Sequence, residues 1–365
     1  MSALERLAAA LGRTPEVAFG APGRANLIGE HTDYNGGLVL PVALDLRTYV
    51  GGRFVPEPVL SLTSLEEPGD AAVDLDTGAG PETGWGRYAT GVVRAALDER
   101  YALRGFEGFV ASDVPIGAGL SSSAALEVAV ALAVLEEHPG DLALARMCRR
   151  AENVYCGTQS GIMDQLTATA AVAGHALLID CLDETFESVP IPNDLTVLVV
   201  DSAVRRTLAG SGYNERRAEC ERAAAALGIG TLRAARLADI EPLGDTERRR
   251  VRHVVNENQR VLEAVAALRG RDGDALRGLF TQSHRSLAED FEVSTPEIDR
   301  LVDLAATAPG VVAARMTGGG FGGCIVCLAE PDGANRAGAR ITAQYENATG
   351  RRARYWISRP APGAS

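Results

Sequence analysis

Short apolar runs are interleaved with longer stretches in which apolar residues recur every three to four positions. Runs at 17–19, 38–42, 108–111, 176–180, 196–201, 311–315 and 324–328 are bounded by Gly, Pro or Asp, which predicts strands. Helical recurrence at 85–97, 121–136, 142–155, 215–227, 251–268 and 274–287 predicts amphipathic helices. The two kinds are mixed without the regular alternation of a doubly wound parallel sheet, so the pattern predicts an α+β chain of two lobes. The Pro-rich connection VPIPNDL at 189–195 marks the expected division, into 1–190 and 191–365. Segment 69–84 (GDAAVDLDTGAGPETG) is acidic, Gly-rich and without periodicity, which reads as a surface loop.

The opening residues MSALERLAAALGR set charges among their apolar positions, unlike the uninterrupted apolar core of a secretory leader. The longest apolar stretch, 124–135, is too short to span a bilayer and carries Glu127. A cytoplasmic location is therefore expected. At 365 residues, 46% of them hydrophobic, the chain can bury one large core or two cores of ordinary size. Its formal charge of −12 argues against a general affinity for nucleic acid, which needs a basic face. A small phosphorylated ligand needs only a local cluster of arginines and backbone amides.

The chain contains no lysine, so all 36 Lys+Arg positions are arginine. A Walker-type phosphate loop, the strand lysine of protein kinases and any Schiff-base chemistry are thereby excluded, since each needs the missing amine. Six cysteines are scattered along the chain, which does not suggest a disulfide framework. Cys324 and Cys327 lie in GGCIVCLAE, whose pattern predicts a buried strand in preference to a metal or redox site.

Four segments can carry chemistry. Residues 115–125, PIGAGLSSSAA, follow a strand and open a helix. Such a junction makes a phosphate cradle from backbone N–H groups, the positive end of the helix and serine hydroxyls; a glycine-rich turn with Ser121 as the helix cap is the alternative. Segment 23–37, GRANLIGEHTDYNGG, packs Arg24, Glu30, His31 and Asp33 together, which suits a polyhydroxylated ligand whose hydroxyls each need a separate partner. It could equally be a solvated hairpin tip turning at Asn35, Gly36 and Gly37. In SGIMDQ, Asp164 is either a general base or the cap of the next helix, and Glu152 is either a surface carboxylate or a magnesium ligand. The glycine-dense MTGGGFGG at 316–323 allows close approach of a ligand, or a tight hairpin.

In this order the segments resemble the galactokinases of the GHMP kinase superfamily. Residues 23–34 are similar to the galactokinase signature, 115–124 to the superfamily's phosphate motif and 316–323 to its third motif. AENVYCGTQSGIMDQ, HALLIDC, LAGSGYNERRAEC, RHVVNEN, SHRSLAEDFEVSTPEID and ARMTGGGFGGC extend the resemblance across roughly 15–358. It implies an N-terminal lobe like ribosomal protein S5 and a ferredoxin-like C-terminal lobe with added helices. It also implies transfer of the γ-phosphoryl group of ATP to the C1 hydroxyl of α-D-galactose, with Mg²⁺. The composition leads to no nucleic-acid or membrane partner being expected, and no protein partner is indicated.

Carried over position by position, the resemblance makes Asp164 the base beside the anomeric hydroxyl, with Arg24 as its catalytic partner. Glu30, His31, Asp33 and Tyr213 match sugar ligands, and Gly161 a backbone contact to the sugar. Pro115, Gly117, Gly119, Leu120, Ser121, Ser122, Ser123 and Ala124 match the ATP-phosphate loop; Trp85 and Tyr88 match the region of the adenine pocket, and Arg205 a basic residue near the phosphates. Ser123 and Glu152 match the magnesium ligands. Ser160 and Ala203 depart from the usual cysteine and asparagine, neither of which has an assigned chemical role. Two competing readings are a related kinase acting on N-acetylgalactosamine, arabinose or mevalonate, and a non-catalytic sugar sensor on the same scaffold.

Overall fold

The computed structural model describes residues 1–205 and 209–365, the side chains of 209–211 aside; Leu208, the first residue of the quoted LAGSGYNERRAEC, falls outside it. Helix α1 (Ala3–Leu11) starts with a reciprocal cap in which Ser2 Oγ accepts from the Glu5 N–H and the Glu5 carboxylate accepts from the Ser2 N–H. Its Leu7 packs with Ala111 under the first sheet. The chain continues through β1 (Val17–Asn26), β2 (Leu38–Val39), β3 (Pro41–Val55), β4 (Val59–Ser64), β5 (Asp70–Asp74), α2 (Gly86–Asp98), β6 (Gly105–Ser112) and α3 (Ser122–Val134). Next come α4 (Asp141–Arg150), a π turn at Ala151–Tyr155, α5 (Met163–Ala170), β7 (His175–Asp180) and β8 (Thr185–Pro190). The remainder is β9 (Thr196–Asp201), α6 (Ala209–Leu227), α7 (Asp245–Gly270), α8 (Gly273–Glu289), α9 (Pro296–Ala306), β10 (Val311–Thr317), β11 (Cys324–Ala329), α10 (Pro331–Thr349) and β12 (Arg354–Ser358).

Three sheets organise the described residues. The first has the order β1-β3-β6-β4-β5, antiparallel except for the parallel β4–β6 pair, and a small one has the order β2-β7-β8. The third has the order β10-β11-β9-β12 and is antiparallel throughout. With α10 between β11 and β12 and four helices between β9 and β10, its strand order is that of a ferredoxin-like sheet enlarged by helices, as the resemblance implied. One core lies between the five-stranded sheet and α2 and α3, whose apolar residues are buried on nearly every side; a second lies under the four-stranded sheet against α9 and α10.

Segment 69–84 is not wholly a loop, because Asp70–Asp74 forms β5. Ala71 and Val73 are buried while Asp70, Ala72 and Asp74 face solvent; this is the period of a strand, hidden by its acidic outer face. Strand β1 also runs seven residues past the expected end, through the Gly–Pro–Gly punctuation to Asn26, and so carries Arg24 into the sheet. Cys324 and Cys327 lie buried on β11, as the alternation predicts.

Candidate functional site

Strand β1 shifts register between Pro22 and Arg24, and there it lies against the loop that precedes α3. A Cβ on Gly23 would stand 2.7 Å from the Leu120 carbonyl oxygen, so only glycine permits the approach. The next N–H, that of Arg24, donates to the same carbonyl at 3.1 Å. The Arg24 side chain, 6% exposed, then donates from NH1 to the Gly119 carbonyl at 2.7 Å and from Nε to Asp164 Oδ1 at 2.8 Å. The second carboxylate oxygen accepts from the Ser121 hydroxyl at 2.6 Å. Three residues far apart in the chain are thus locked into one charge-assisted cluster.

This geometry overturns both capping alternatives. Ser121 holds a left-handed conformation (φ 58°) and caps no N–H of α3 with its side chain; the hydroxyl is committed to Asp164. Asp164 lies inside α5, whose cap position is Ile162. The first turn of α3 therefore has backbone N–H groups that no side-chain cap occupies, next to the positively curved backbone of Gly117 and Gly119 (φ 70° and 81°). Such a nest at a helix N-terminus favours phosphate.

The segment that follows β1 is not a solvated hairpin tip. Glu30, His31 and Asn35 are 1%, 4% and 4% exposed, and the Thr32 hydroxyl ties the turn together through the Gly29 and Leu38 carbonyls. Glu30 accepts from the Gly318 N–H at 2.5 Å, from Thr317 at 3.2 Å, from Arg315 at 3.2 Å and from the Asn26 amide. Burial pushes its pKa up, and Arg315 opposes the shift. His31 Nδ1 is 2.9 Å from the Tyr34 hydroxyl, and its ring lies beside Tyr213 and Phe291. Burial, with Asp164 nearby, pushes Asp33 up to about 6. These carboxylates and the imidazole form a compact polar wall.

Glu152 is not a surface carboxylate. It is 5% exposed on the π turn after α4, where it accepts from Ser123 at 2.9 Å, Ser160 at 2.5 Å and Gln165 at 2.9 Å. Burial raises its pKa against those three hydrogen bonds. A hydroxyl and a carboxylate 2.9 Å apart are oxygen donors of the kind Mg²⁺ takes, one or two from protein and the rest from phosphate and water. No group of three or more His, Cys, Asp or Glu among the described residues could hold a metal ion on its own.

A cavity of about 790 Å³ joins these parts. Arg24, Glu30, His31, Asp33, Asp164 and Tyr213 line it together with Gly117, Gly119 and Ser121–Ser123, with Trp85 and Tyr88, and with Glu152. Arg205 reaches it too, with its guanidinium held by both Asp201 oxygens at 2.8 Å. Pro115, Leu120, Ala124 and Gly161 do not line it: Leu120 and Ala124 are buried behind the loop, and Gly161 packs against Asp33. Sequence reasoning missed the residues that hold the ligand-facing groups, namely Asn26, Arg315 and Thr317 around Glu30, and Ser160 and Gln165 around Glu152. The available signal was polarity inside apolar strands, above all the fully buried Arg315 on β10.

Comparison with known proteins agrees with this layout. Residues 5–54 match the model of the galactokinase galactose-binding signature, 87–174 that of the GHMP kinase N-terminal domain and 264–347 that of the GHMP kinase C-terminal domain. The chain is 42% identical to the galactokinase of Roseiflexus sp. (strain RS-1), over 98% of its own length and 95% of that relative. It is 45% identical to that of Bos taurus, over 97% and 93%. Among solved structures, galactokinase from Lactococcus lactis in complex with galactose superposes with a TM-score of 0.91 at 32% identity, covering 99% of this chain and 98% of that one. Mevalonate kinase from Methanococcus jannaschii shares the fold alone, with a TM-score of 0.69 at 20% identity over 94% and 98%.

Proposed function

The chain belongs to the galactokinase family of the GHMP kinases, and from that premise we infer that it transfers the γ-phosphoryl group of MgATP to the C1 hydroxyl of α-D-galactose, giving α-D-galactose 1-phosphate and ADP. One observation supports the reading at the level of residues: the Arg24–Asp164–Ser121 cluster ties Asp164 to the phosphate loop and lines the same cavity as the polar turn, so acceptor and donor can meet beside it. Asp164 accepts the O1 proton of the sugar as O1 attacks in line, and Arg24 holds that carboxylate in place and faces the charge of the transferring group. Glu30, His31, Asp33 and Tyr213 bind the sugar hydroxyls, with Gly161 alongside. The loop 115–124 cradles the phosphates, Arg205 approaches them and Trp85 and Tyr88 flank the base.

Ser123 and Glu152 would hold Mg²⁺, which when bound supplies neutralisation of phosphate charge. The compact wall of Glu30, His31 and Asp33 leaves mevalonate, which lacks a ring of hydroxyls, a poor match. We place the lobe boundary at 190/191, in the connection between β8 and β9. We place the protein in the cytoplasm, which suits six cysteines that form no disulfide with one another; no helix among the described residues is long and apolar enough to cross a membrane.

The test is ADP release by purified protein with MgATP and, in turn, galactose, glucose, N-acetylgalactosamine, arabinose and mevalonate. Turnover on galactose well above the others is expected. Preference for a different acceptor would reassign the pocket, and galactose binding without turnover would make the protein a sensor.

A further inference from the structure

The segment RHVVNEN has no part in the chemistry above, yet the structure puts it directly behind the sugar-binding turn. It lies on α7, and three of its side chains reach the backbone of that turn. His253, fully buried, has Nε2 3.0 Å from the Glu30 carbonyl oxygen. A carbonyl can only accept, so Nε2 carries the proton and donates. One turn along the helix, Glu257, also fully buried, accepts from the Gly29 N–H at 3.0 Å. Asn258 Oδ1 accepts from the Leu38 N–H at 2.7 Å, at the far end of the same turn. A second route runs through rings: Phe291 makes tilted ring contacts with both His253 (centroids 4.5 Å apart) and His31 (4.7 Å).

These holding groups are themselves held. His253 Nδ1 is 2.9 Å from the Ser286 hydroxyl, and Glu257 accepts from Ser283 at 2.6 Å and from Arg260 at 2.7 Å. Ser283 and Ser286 are on α8, so the α7–α8 pair forms a rigid backing. A backing of this kind is not needed to satisfy the turn alone. Backbone groups of a loop are usually met by water or by the loop itself; here they are met by an ionisable pair spaced four apart on one helix, where any slip costs a buried polar group its partner.

We propose that His253 and Glu257 are positioning residues for the acceptor sugar: they fix the backbone at Gly29 and Glu30, and through Phe291 the ring of His31, so that the turn meets galactose already in its binding geometry. The inference rests on the reading that this turn binds the sugar. It assigns the α7–α8 pair to sugar affinity and leaves nucleotide binding to other elements, since the α7 hydrogen bonds named above all end on the sugar-binding turn.

The experiment measures kcat and the separate KM values for galactose and MgATP in the wild type and in His253→Leu, His253→Gln and Ser286→Ala. His253→Leu should raise the galactose KM by about tenfold or more while the MgATP KM stays within about twofold, as expected for loss of one buried hydrogen bond that holds only the sugar turn. His253→Gln can place an N–H where Nε2 stood, and should recover most of the lost affinity. Ser286→Ala removes a single hydroxyl, spares the fold and should shift the galactose KM in the same direction by about threefold, so it carries the test should the leucine variant not fold. An unchanged galactose KM in a folded variant, or a MgATP KM that rises in parallel, overturns the proposal. Wild-type turnover on galactose in the same series separates this outcome from a failure of the proposed activity, which would show as no turnover before any substitution.

Discussion

Gly161 lies so close to Asp33 that a Cβ at 161 would stand 2.2 Å from Asp33 Oδ2 and 2.6 Å from its Cγ. The two residues are far apart in the chain, one in the turn after β1 and the other just before α5. Gly161 therefore serves the site by having no side chain. Gly161→Ala must displace the Asp33 carboxylate, and the expected result is a rise of about tenfold or more in galactose KM with little change for MgATP. Steady-state kinetics with each substrate varied in turn checks it; an unaltered galactose KM would show that Asp33 does not face the sugar.

Asp164 receives the Arg24 guanidinium on one oxygen and the Ser121 hydroxyl on the other. Asp164→Asn is nearly isosteric but cannot accept the O1 proton. A loss of about 10²–10⁴ in kcat with a modest change in galactose KM is expected. Rapid-quench measurement of the chemical step tests it, and a kcat near that of the wild type would remove Asp164 from the proton transfer.

Asp33 has its pKa raised to about 6 by burial and by the Asp164 charge. The sign follows from which form binds: if ionised Asp33 accepts sugar hydroxyls, galactose KM should climb as pH falls through about 6. Stability runs the other way, because a carboxyl whose folded pKa is raised contributes most below its unfolded value and loses that contribution as pH rises through the folded one. Asp33→Asn should accordingly raise Tm at pH 8 while impairing galactose binding. Calorimetric binding and melting between pH 5 and 8 would check both halves.

His253 titrates at about 4, lowered by burial, and Glu257 at about 2, held down chiefly by Arg260 against the burial that pushes the other way. In both cases the unfolded state binds its proton at higher pH. The contribution of these two groups to stability, opposite in sign to that of Asp33, should therefore fall as pH drops from about 6.5 through 4, the His253 window, and again between about 4.5 and 2 for Glu257. A melting series at low pH measures it, and His253→Gln should flatten the upper window.

Glu152 and Ser123 offer the paired oxygens suited to Mg²⁺. Glu152→Gln should raise the Mg²⁺ concentration for half-maximal activity by about tenfold or more, leaving galactose affinity, measured without nucleotide, near wild type. Titration of the metal at fixed ATP, with galactose binding followed by calorimetry, separates the two effects.

Much of the architecture could be read from periodicity, since α2, α3, α7, α8, β9, β10 and β11 all fall where the apolar spacing puts them. Strand β5 could not, because its outward positions are acidic and its inward ones small. For the site, local reasoning left each segment with two readings, and the resemblance supplied the roles. The reason is physical: Arg24 and Asp164 are 140 positions apart, and nothing local to either shows that they share a hydrogen bond. Ser121 looks like a helix cap because its sequence neighbourhood is that of one; only the packed chain brings Asp164 within reach of its hydroxyl. Glu152 looked exposed for want of any sign that Gln165 and Ser160 would close over it.

The segment after β12 runs back along the five-stranded sheet and the end of α5. Its Ala361 and Gly363 N–H groups donate to the Ala43 and Ala171 carbonyls, and Ser365 exchanges two backbone hydrogen bonds with Gly20, at 2.9 and 3.0 Å. Arg47 clamps it through the Pro362 and Gly363 carbonyls. The last residues of the chain therefore hold β1 at Gly20 from both its N–H and its C=O, on the strand that carries Arg24 into the site, so the end of the chain acts as a splint on the strand that delivers the site's arginine.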